Sequence, residues 1–374
     1  MAGRKPDVPK GYASGPYAVG TCCFSLTDTG RREVLGDGKG DRKIAVRMYY
    51  PVTRESVAGM PQAEVFSAPK IAALLKAYHL KSISDELNRA EYYEHAPWIP
   101  EQQFPLIMFS MGYNSYVESN TYLLCALASQ GYIIASVGHA HEAVENDYED
   151  GSTDVFDQSI NKRMYTSFIG ALWSQRKLMH QKGSQQEILE QFEQFQNKYT
   201  PYIKDRVPQW EQDILKALEA VQARYGEHID QSRGIGASGH SLGGCLAYYL
   251  CRYHAPFSCG INIDGGLFGD YPDRVMEKPF CQISCGDNIN VETRPFLQTT
   301  ADTYQVIFKN MKHMGFTDAK FYIPIKMLSG KMDAAESLRH LVYCHRTFFD
   351  KYLKGADVRL DGLASEEVTY RKIV

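Results

Sequence analysis

Long apolar runs are missing from this 374-residue chain: no stretch approaches the ~18 apolar residues that a membrane span requires. The N-terminal segment MAGRKPDVPKGYASGP has no apolar core, so no secretory leader is expected there. Basic runs never exceed two or three residues, the net charge is −3 and the pI is about 6.4, which argues against a nucleic-acid partner. The nine cysteines form no C-x-x-C zinc pair; Cys281 and Cys285 stand four apart, alone and near a strand end. Cys245, Cys251, Cys259 and Cys344 sit inside apolar runs, where a thiol serves as a small hydrophobe. Reduced thiols in a cytoplasmic protein are therefore the expectation. Internal repeats and long low-complexity tracts are absent as well.

What the chain does have is core-forming material. It is 44% hydrophobic and 12% aromatic, with 25 Tyr, which excludes a disordered chain. Short apolar runs bounded by turn residues fall at Tyr17–Asp28, Ala45–Pro51, Pro105–Met111, Tyr132–Gly138, Gly234–Gly239, Cys259–Asp264, Pro279–Cys285 and Thr303–Lys309, and read as strands. Helical periodicity marks Ser119–Gln130, Trp210–Arg224 and Leu338–Leu353, the last closed by Gly355. Alternating strands and helices predict one α/β domain with a mostly parallel sheet covered on both faces. The first two runs lack an intervening helix and predict an antiparallel start. Two segments interrupt the alternation, 66–100 and the polar, helix-prone 142–205. The latter carries an apolar stripe of Ile188, Leu189, Phe192, Phe195 and Tyr199. It is too long for a loop and predicts a helical cap over one end of the sheet.

RGIGASGHSLGG, residues 233–244, fits two motifs. Gly234, Gly236 and Gly239 match the glycine pattern of a dinucleotide cradle; Gly239, Ser241 and Gly243 match G-x-S-x-G, the elbow that presents a nucleophilic serine. The cradle needs a strand before Gly234, yet HIDQSR is polar, and Gly239, Gly243 and Gly244 would each weaken its helix by about 1 kcal/mol. The elbow makes Gly234–Gly239 the strand and places Leu242, Leu246, Tyr249, Leu250 and Tyr253 on one face of the following helix. A histidine downstream serves a serine nucleophile and has no task in a cradle. The elbow is the better reading.

Of the four histidines after Ser241, His254, His340 and His345 lie on or at the end of helices, where a structural role is expected. His313 follows the strand TYQVIFK in a loop and is the candidate general base. Asp264 and Asp287 each end a strand, and spacing leaves both open as its acidic partner. The oxyanion donors are expected to be the backbone N–H groups of Leu242, after the nucleophile, and of Tyr113, in FSMGYNS after an early strand. His139 and His141, followed by Glu142, could chelate zinc, but no further ligand cluster is evident and a pocket-lining loop explains them as well. No metal and no organic cofactor is expected.

FPLIMFSMGYNSY, GHSLGG, INIDGGLFGD and the late loop with His313 resemble the platelet-activating factor acetylhydrolase family, serine esterases of the α/β-hydrolase fold. FFDKYLKG is also of the kind that such hydrolases carry. The resemblance spans roughly residues 15–355 and implies a triad of Ser241, His313 and Asp264, the acid being taken from the strand after the elbow helix, with Tyr113 and Leu242 as oxyanion donors. It implies hydrolysis of carboxylic esters through an acyl-enzyme, as in phospholipase A2-type esterases that cleave 1-alkyl-2-acetylglycerophosphocholine. Two departures stand out: the family's Ser-His-Gly oxyanion loop is here Ser110-Met111-Gly112, and residues 142–205 would remodel the pockets. A general carboxylesterase, lipase or polyester hydrolase using Asp287 is the alternative within the class. A non-catalytic binding protein on the same fold is the alternative outside it. Peripheral membrane contact, which the family implies, has a candidate in FSAPKIAALLKAYHLKS, where Ile71, Leu74, Leu75 and Tyr78 are flanked by Lys70, Lys76 and Lys81; packing under a cap is the competing reading.

Overall fold

A computed structural model describes residues 9–271, 275–323 and 326–374; the first eight residues of the N-terminal segment read above lie outside the described residues. β1 (Ala18–Arg32) and β2 (Asp41–Val52) form an antiparallel pair, with Ala18 opposite Val52 and Asp28 opposite Arg42. β3 (Tyr93–Glu94) adds to the outer edge of β1. β4 (Phe104–Ser110) and β5 (Ile133–His139) are parallel, and β5 joins the opening pair through β2. β6 (Glu145–Asp147) and β7 (Thr153–Val155) make a separate hairpin, and β8 (Ile229–Asp230) pairs with the start of β4. β9 (Ile235–His240), β10 (Phe257–Ile263), β11 (Phe280–Cys285) and β12 (Thr303–Phe308) continue in parallel, and β13 (Val368–Lys372) closes the far edge antiparallel to β12. The eleven-stranded sheet has the order β13-β12-β11-β10-β9-β4-β5-β2-β1-β3, with β8 beside β4.

Every residue of β4, β5, β9 and β11 is buried, because helices cover both faces. Alternation along β4 divides the core: Ile107 and Phe109 face α2 (Thr121–Ser129) and the C-terminal helix Ala334–Leu353, whereas Leu106 and Met108 join the opposite cluster. α1 (Ala68–Ala77) lies in the first excursion, and its proposed surface stripe packs: Leu74 and the Lys70 side chain are buried, and Ile71 and Tyr78 lean on the core. Residues 142–205 hold the β6–β7 hairpin, the single turn α3 (Ile160–Arg163), α4 (Phe168–Met179), α5 (Gln185–Tyr199) and the start of α6 (Pro201–Tyr225). α6 is thus far longer than its expected Trp210–Arg224 stretch and crosses the boundary drawn at residue 205. The stripe on α5 is buried at Ile188, Leu189, Phe192 and Phe195, and Ile188, Phe192 and Phe195 cluster with Ala171 and Leu178 of α4 and with Phe268 and Val291 of the sheet's loops. Burying each such side chain is worth about 2 kcal/mol.

α7 (Leu242–Tyr253) follows β9 directly and packs against α6, with Leu246, Ala247 and Leu250 in the core that the two helices share. The strand order turns at β9 and β4, so the loops after these strands and after β10 and β12 share the carboxyl end of the sheet. No helix among the described residues is long and apolar enough to cross a membrane.

Candidate active site

Ser241 sits at the apex of the turn from β9 to α7, with φ 57° and ψ −125°. A side-chain-bearing residue in this region carries about 1–3 kcal/mol of strain, held by the elements on either side. Gly239 and Gly243 make the turn feasible. A Cβ on Gly239 would overlap the Gly243 backbone, and one on Gly243 would overlap the Ser110 carbonyl. The Ser241 N–H donates to the Ile263 carbonyl (2.9 Å), and its own carbonyl accepts from Gly244 and Cys245, fixing the start of α7. Ser241 is partly exposed, and its hydroxyl makes no capping hydrogen bond to α7. Hydrogen bonds to a nucleophile commonly tighten only with substrate bound.

Asp264 follows β10 with φ 55° and is buried. Its Oδ2 lies 2.7 Å from His313 Nδ1, and it also accepts hydrogen bonds from Asn288 Nδ2 (2.8 Å) and the Cys285 thiol (3.4 Å). Its Oδ1 accepts from the Cys285 backbone N–H at 2.6 Å. Asp287 goes elsewhere and pairs with Lys312 at the surface. The structure therefore brings Asp264 to His313 and keeps Asp287 apart.

His313 opens a single 3-10 turn after β12, and its carbonyl accepts from His240 Nε2 at 3.1 Å, with the two rings 4.5 Å apart. Burial, with the neighbouring His313 adding to it, holds His240 well below the usual imidazole range, so its Nε2 stays a neutral donor. His240 is the variable residue inside G-H-S-L-G, and its bond ties the His313 loop to the residue before Ser241. Sequence reasoning passed over it because the motif leaves that position free.

The loop after β4 crosses in front of the elbow, and a Cβ on Gly112 would stand 3.1 Å from Ser241 Cβ. Asn114 N–H donates to the Glu142 carbonyl (2.8 Å) and Ser115 N–H to the Gly112 carbonyl (3.1 Å). Tyr113 N–H, just before them, has no backbone acceptor among the described residues. Leu242 heads α7, where a first-turn N–H lacks an intrahelical acceptor. Leu242 directly follows the serine, and Tyr113 directly follows Gly112, which borders it.

His139 and His141 separate. His139 is fully buried, bonded through Nδ1 to Asp213 and through Nε2 to Ser110; His141 lies at the surface with φ 58° and contacts the Val155 carbonyl. No group of three or more potential metal ligands occurs among the described residues. His254 pairs with Glu211, His340 with Tyr370 and Glu336, and His345 with Ser238 and the Leu341 carbonyl. Asp213, missed in the sequence, did leave a signal: it is an acid on the buried stripe of α6, between Trp210 and Ile214.

Comparison with known proteins places these features in a wider set. The family described as platelet-activating factor acetylhydrolase, isoform II, matches residues 3–353. A platelet-activating factor acetylhydrolase of Cavia porcellus is 23% identical over 377 residues, covering 95% of this chain and 79% of that protein. One of Gallus gallus is 22% identical, covering 92% of this chain and 84% of that protein. The solved structure of a ferulic acid esterase from Streptomyces cinnamoneus superposes with a TM-score of 0.70 at 22% identity, covering 99% of this chain and 97% of the other. That likeness shows the fold.

Proposed function

The chain belongs to the platelet-activating factor acetylhydrolase family, and from that premise we propose that it is a serine hydrolase of carboxylic esters working through an acyl-enzyme. Ser241 attacks the ester carbonyl, and His313 takes its proton and returns it to the leaving alcohol. Asp264 orients His313 and stabilises the imidazolium. The N–H groups of Tyr113 and Leu242 receive the negative charge that develops on the carbonyl oxygen, assisted by the N-terminal end of α7. Water then repeats the attack with His313 as base. The observation that carries this reading is the 2.7 Å contact between His313 Nδ1 and the buried Asp264 carboxylate, next to a serine in elbow geometry.

The substrate is proposed to be an ester with a short acyl group on a glycerophospholipid or a simpler alcohol. Peripheral contact with a lipid surface belongs to the same proposal. The exposed apolar side chains of α4, rather than α1, are the surface suited to it. A cytoplasmic setting suits the nine free cysteines, of which all but Cys23 are buried.

A fluorophosphonate probe tests the chemistry. One equivalent of label on Ser241, with hydrolysis of nitrophenyl acetate lost in Ser241→Ala, is the expected result. Folded wild-type protein that neither labels nor turns over the ester would leave only a binding function. An acyl series from acetyl to long chains on glycerophospholipid and simple alcohol leaving groups then separates phospholipase from general esterase activity.

A further inference from the structure

A second serine, histidine and aspartate stand in line beneath the oxyanion loop, and none belongs to the machinery proposed above. Ser110 Oγ lies 3.0 Å from His139 Nε2, and His139 Nδ1 lies 2.8 Å from Asp213 Oδ2. All three residues are at most 2% exposed, so no substrate reaches them. The protonation pattern follows from the charges around them. Burial raises the Asp213 carboxyl, but Arg42 beside it and the His139 bond prevail and hold it below the usual carboxylate range. Arg42 contacts it through Nε and Nη2, and Arg31 through Nη2 at 2.7 Å. An ionised Asp213 only accepts, so His139 carries its proton on Nδ1. Burial lowers the His139 pKa, and the neutral ring leaves Nε2 as an acceptor for the Ser110 hydroxyl. That hydroxyl's other contact, to the Met111 carbonyl, is longer at 3.4 Å.

The chain of bonds ends where it matters for catalysis. Ser110 is the last residue of β4, and its carbonyl is the atom that a Cβ on Gly243 would overlap, so Ser110 abuts the turn that carries Leu242. Glu142, three residues after His139, fixes the other side of the loop, where its carbonyl accepts Asn114 N–H at 2.8 Å. The Glu142 side chain is itself held by Arg206 (2.8 and 2.7 Å) and Trp210 Nε1 (2.9 Å), and Trp210 stacks on the His139 ring with centroids 3.7 Å apart. Tyr113 is thus clamped from both sides by one short segment, 139–142.

We propose that Ser110, His139 and Asp213 form a buried positioning chain that holds the Tyr113 N–H and the Gly243 turn where the oxyanion develops. It rests on the ester-hydrolase reading and supplies the support that Met111, in the middle of the loop, has no polar group to give. Misplacing such donors by a fraction of an ångström is felt in the transition state and hardly in substrate binding.

The test compares Ser110→Ala, Ser110→Thr and His139→Phe with wild type, using nitrophenyl acetate and a trifluoromethyl ketone that mimics the tetrahedral adduct. Active sites are counted by fluorophosphonate titration, so that loss of folded protein is not read as loss of rate. Per titrated site, Ser110→Ala should lower kcat by about 10–100-fold with KM nearly unchanged. Ketone affinity should fall by a similar factor, and Ser110→Thr, which keeps the hydroxyl, should recover most of both. Combining Ser110→Ala with His139→Phe should cost little more than the larger single effect. The proposal is overturned if Ser110→Ala keeps wild-type kcat per site, or if activity falls only with the number of titratable sites while ketone affinity is unchanged. A wild-type protein without label or turnover would instead sink the ester-hydrolase reading beneath it.

Discussion

At the scale of single residues, the two candidate acids differ in what surrounds them. Asp264 is buried and offers one oxygen to His313, Asn288 and Cys285, whereas Asp287 is a half-exposed partner of Lys312. Asp264→Asn keeps the shape but removes the charge that stabilises the imidazolium and sets its tautomer, so kcat should fall by about 10³–10⁴-fold with the protein still folded. Asp287→Asn breaks a surface ion pair worth about 0–1 kcal/mol and should leave kcat within about twofold of wild type. Equal losses in steady-state assays of the two variants would contradict the assignment. The serine and the base were legible in the sequence because each announces itself locally: Ser241 through small residues on both sides, His313 by standing off the helices. The acid was not legible from spacing, because both aspartates end strands in consecutive positions. Only the direction in which each carboxylate leaves its strand separates them. The support of the oxyanion loop was hidden for a similar reason, since Ser110, His139 and Asp213 meet across 103 residues of sequence.

At the scale of elements, what the sequence revealed depended on burial. Strands covered on both faces leave continuous apolar runs, so β4, β5, β9, β10, β11 and β12 were recognisable within a residue or two. β3, β8 and β13 are short or at an edge and leave no such run. The part of α6 before Trp210 was hidden because Arg206 stands on its buried side, where it serves the ion network, and because Pro208 lies inside the helix. The C-terminal helix was legible from Leu338 to its end, four residues after its start at Ala334, with its histidines expected to be structural. His345 is fully buried on it; its Nδ1–H donates to the Leu341 carbonyl and its Nε2 faces Ser238 of β9 at 3.2 Å. Burial pushes its pKa down to about 4. The folded state therefore refuses a proton that the unfolded chain takes up below about pH 6.5. Its contribution to stability is complete above that pH and drains away as pH falls toward 4, by up to about 3 kcal/mol. Urea unfolding at pH 7, 5.5 and 4.5 should show wild type losing stability faster than His345→Gln across this window. Parallel pH profiles for the two proteins would mean that His345 is not a source of the acid sensitivity.

At the scale of the whole molecule, the segment 142–205 packs against the loops that follow β10 and β11. α4 is tied to the acid's neighbourhood: Asn290 Nδ2 donates to the Leu178 carbonyl at its end (2.7 Å), two residues from Asn288, which holds Asp264. The outward face of the same helix is unusual for a protein surface. Phe168, Ile169, Leu172 and Trp173 are 62%, 71%, 51% and 72% exposed. Residues 158–186 around them carry Lys162, Arg163, Arg176, Lys177 and Lys182 and no acidic residue. An apolar face in a segment that carries cations and no acid suits the two layers of an anionic lipid surface, acyl boundary and headgroups. On the proposed reading, wild type should sediment with vesicles of phosphatidylcholine and phosphatidylserine more than with phosphatidylcholine alone, and less as salt rises. The emission of Trp173 should shift to the blue on binding. Ile169→Ser with Trp173→Ser should reduce sedimentation several-fold, since each loses about 2 kcal/mol of apolar burial at the interface. Hydrolysis of soluble nitrophenyl acetate should stay at the wild-type rate, because neither residue belongs to the proposed machinery. Equal sedimentation of variant and wild type, or none by wild type at low salt, would remove the lipid surface as the occupant of this face. A binding loss accompanied by an equal loss of soluble-ester turnover would show that α4 acts on the shape of the site instead.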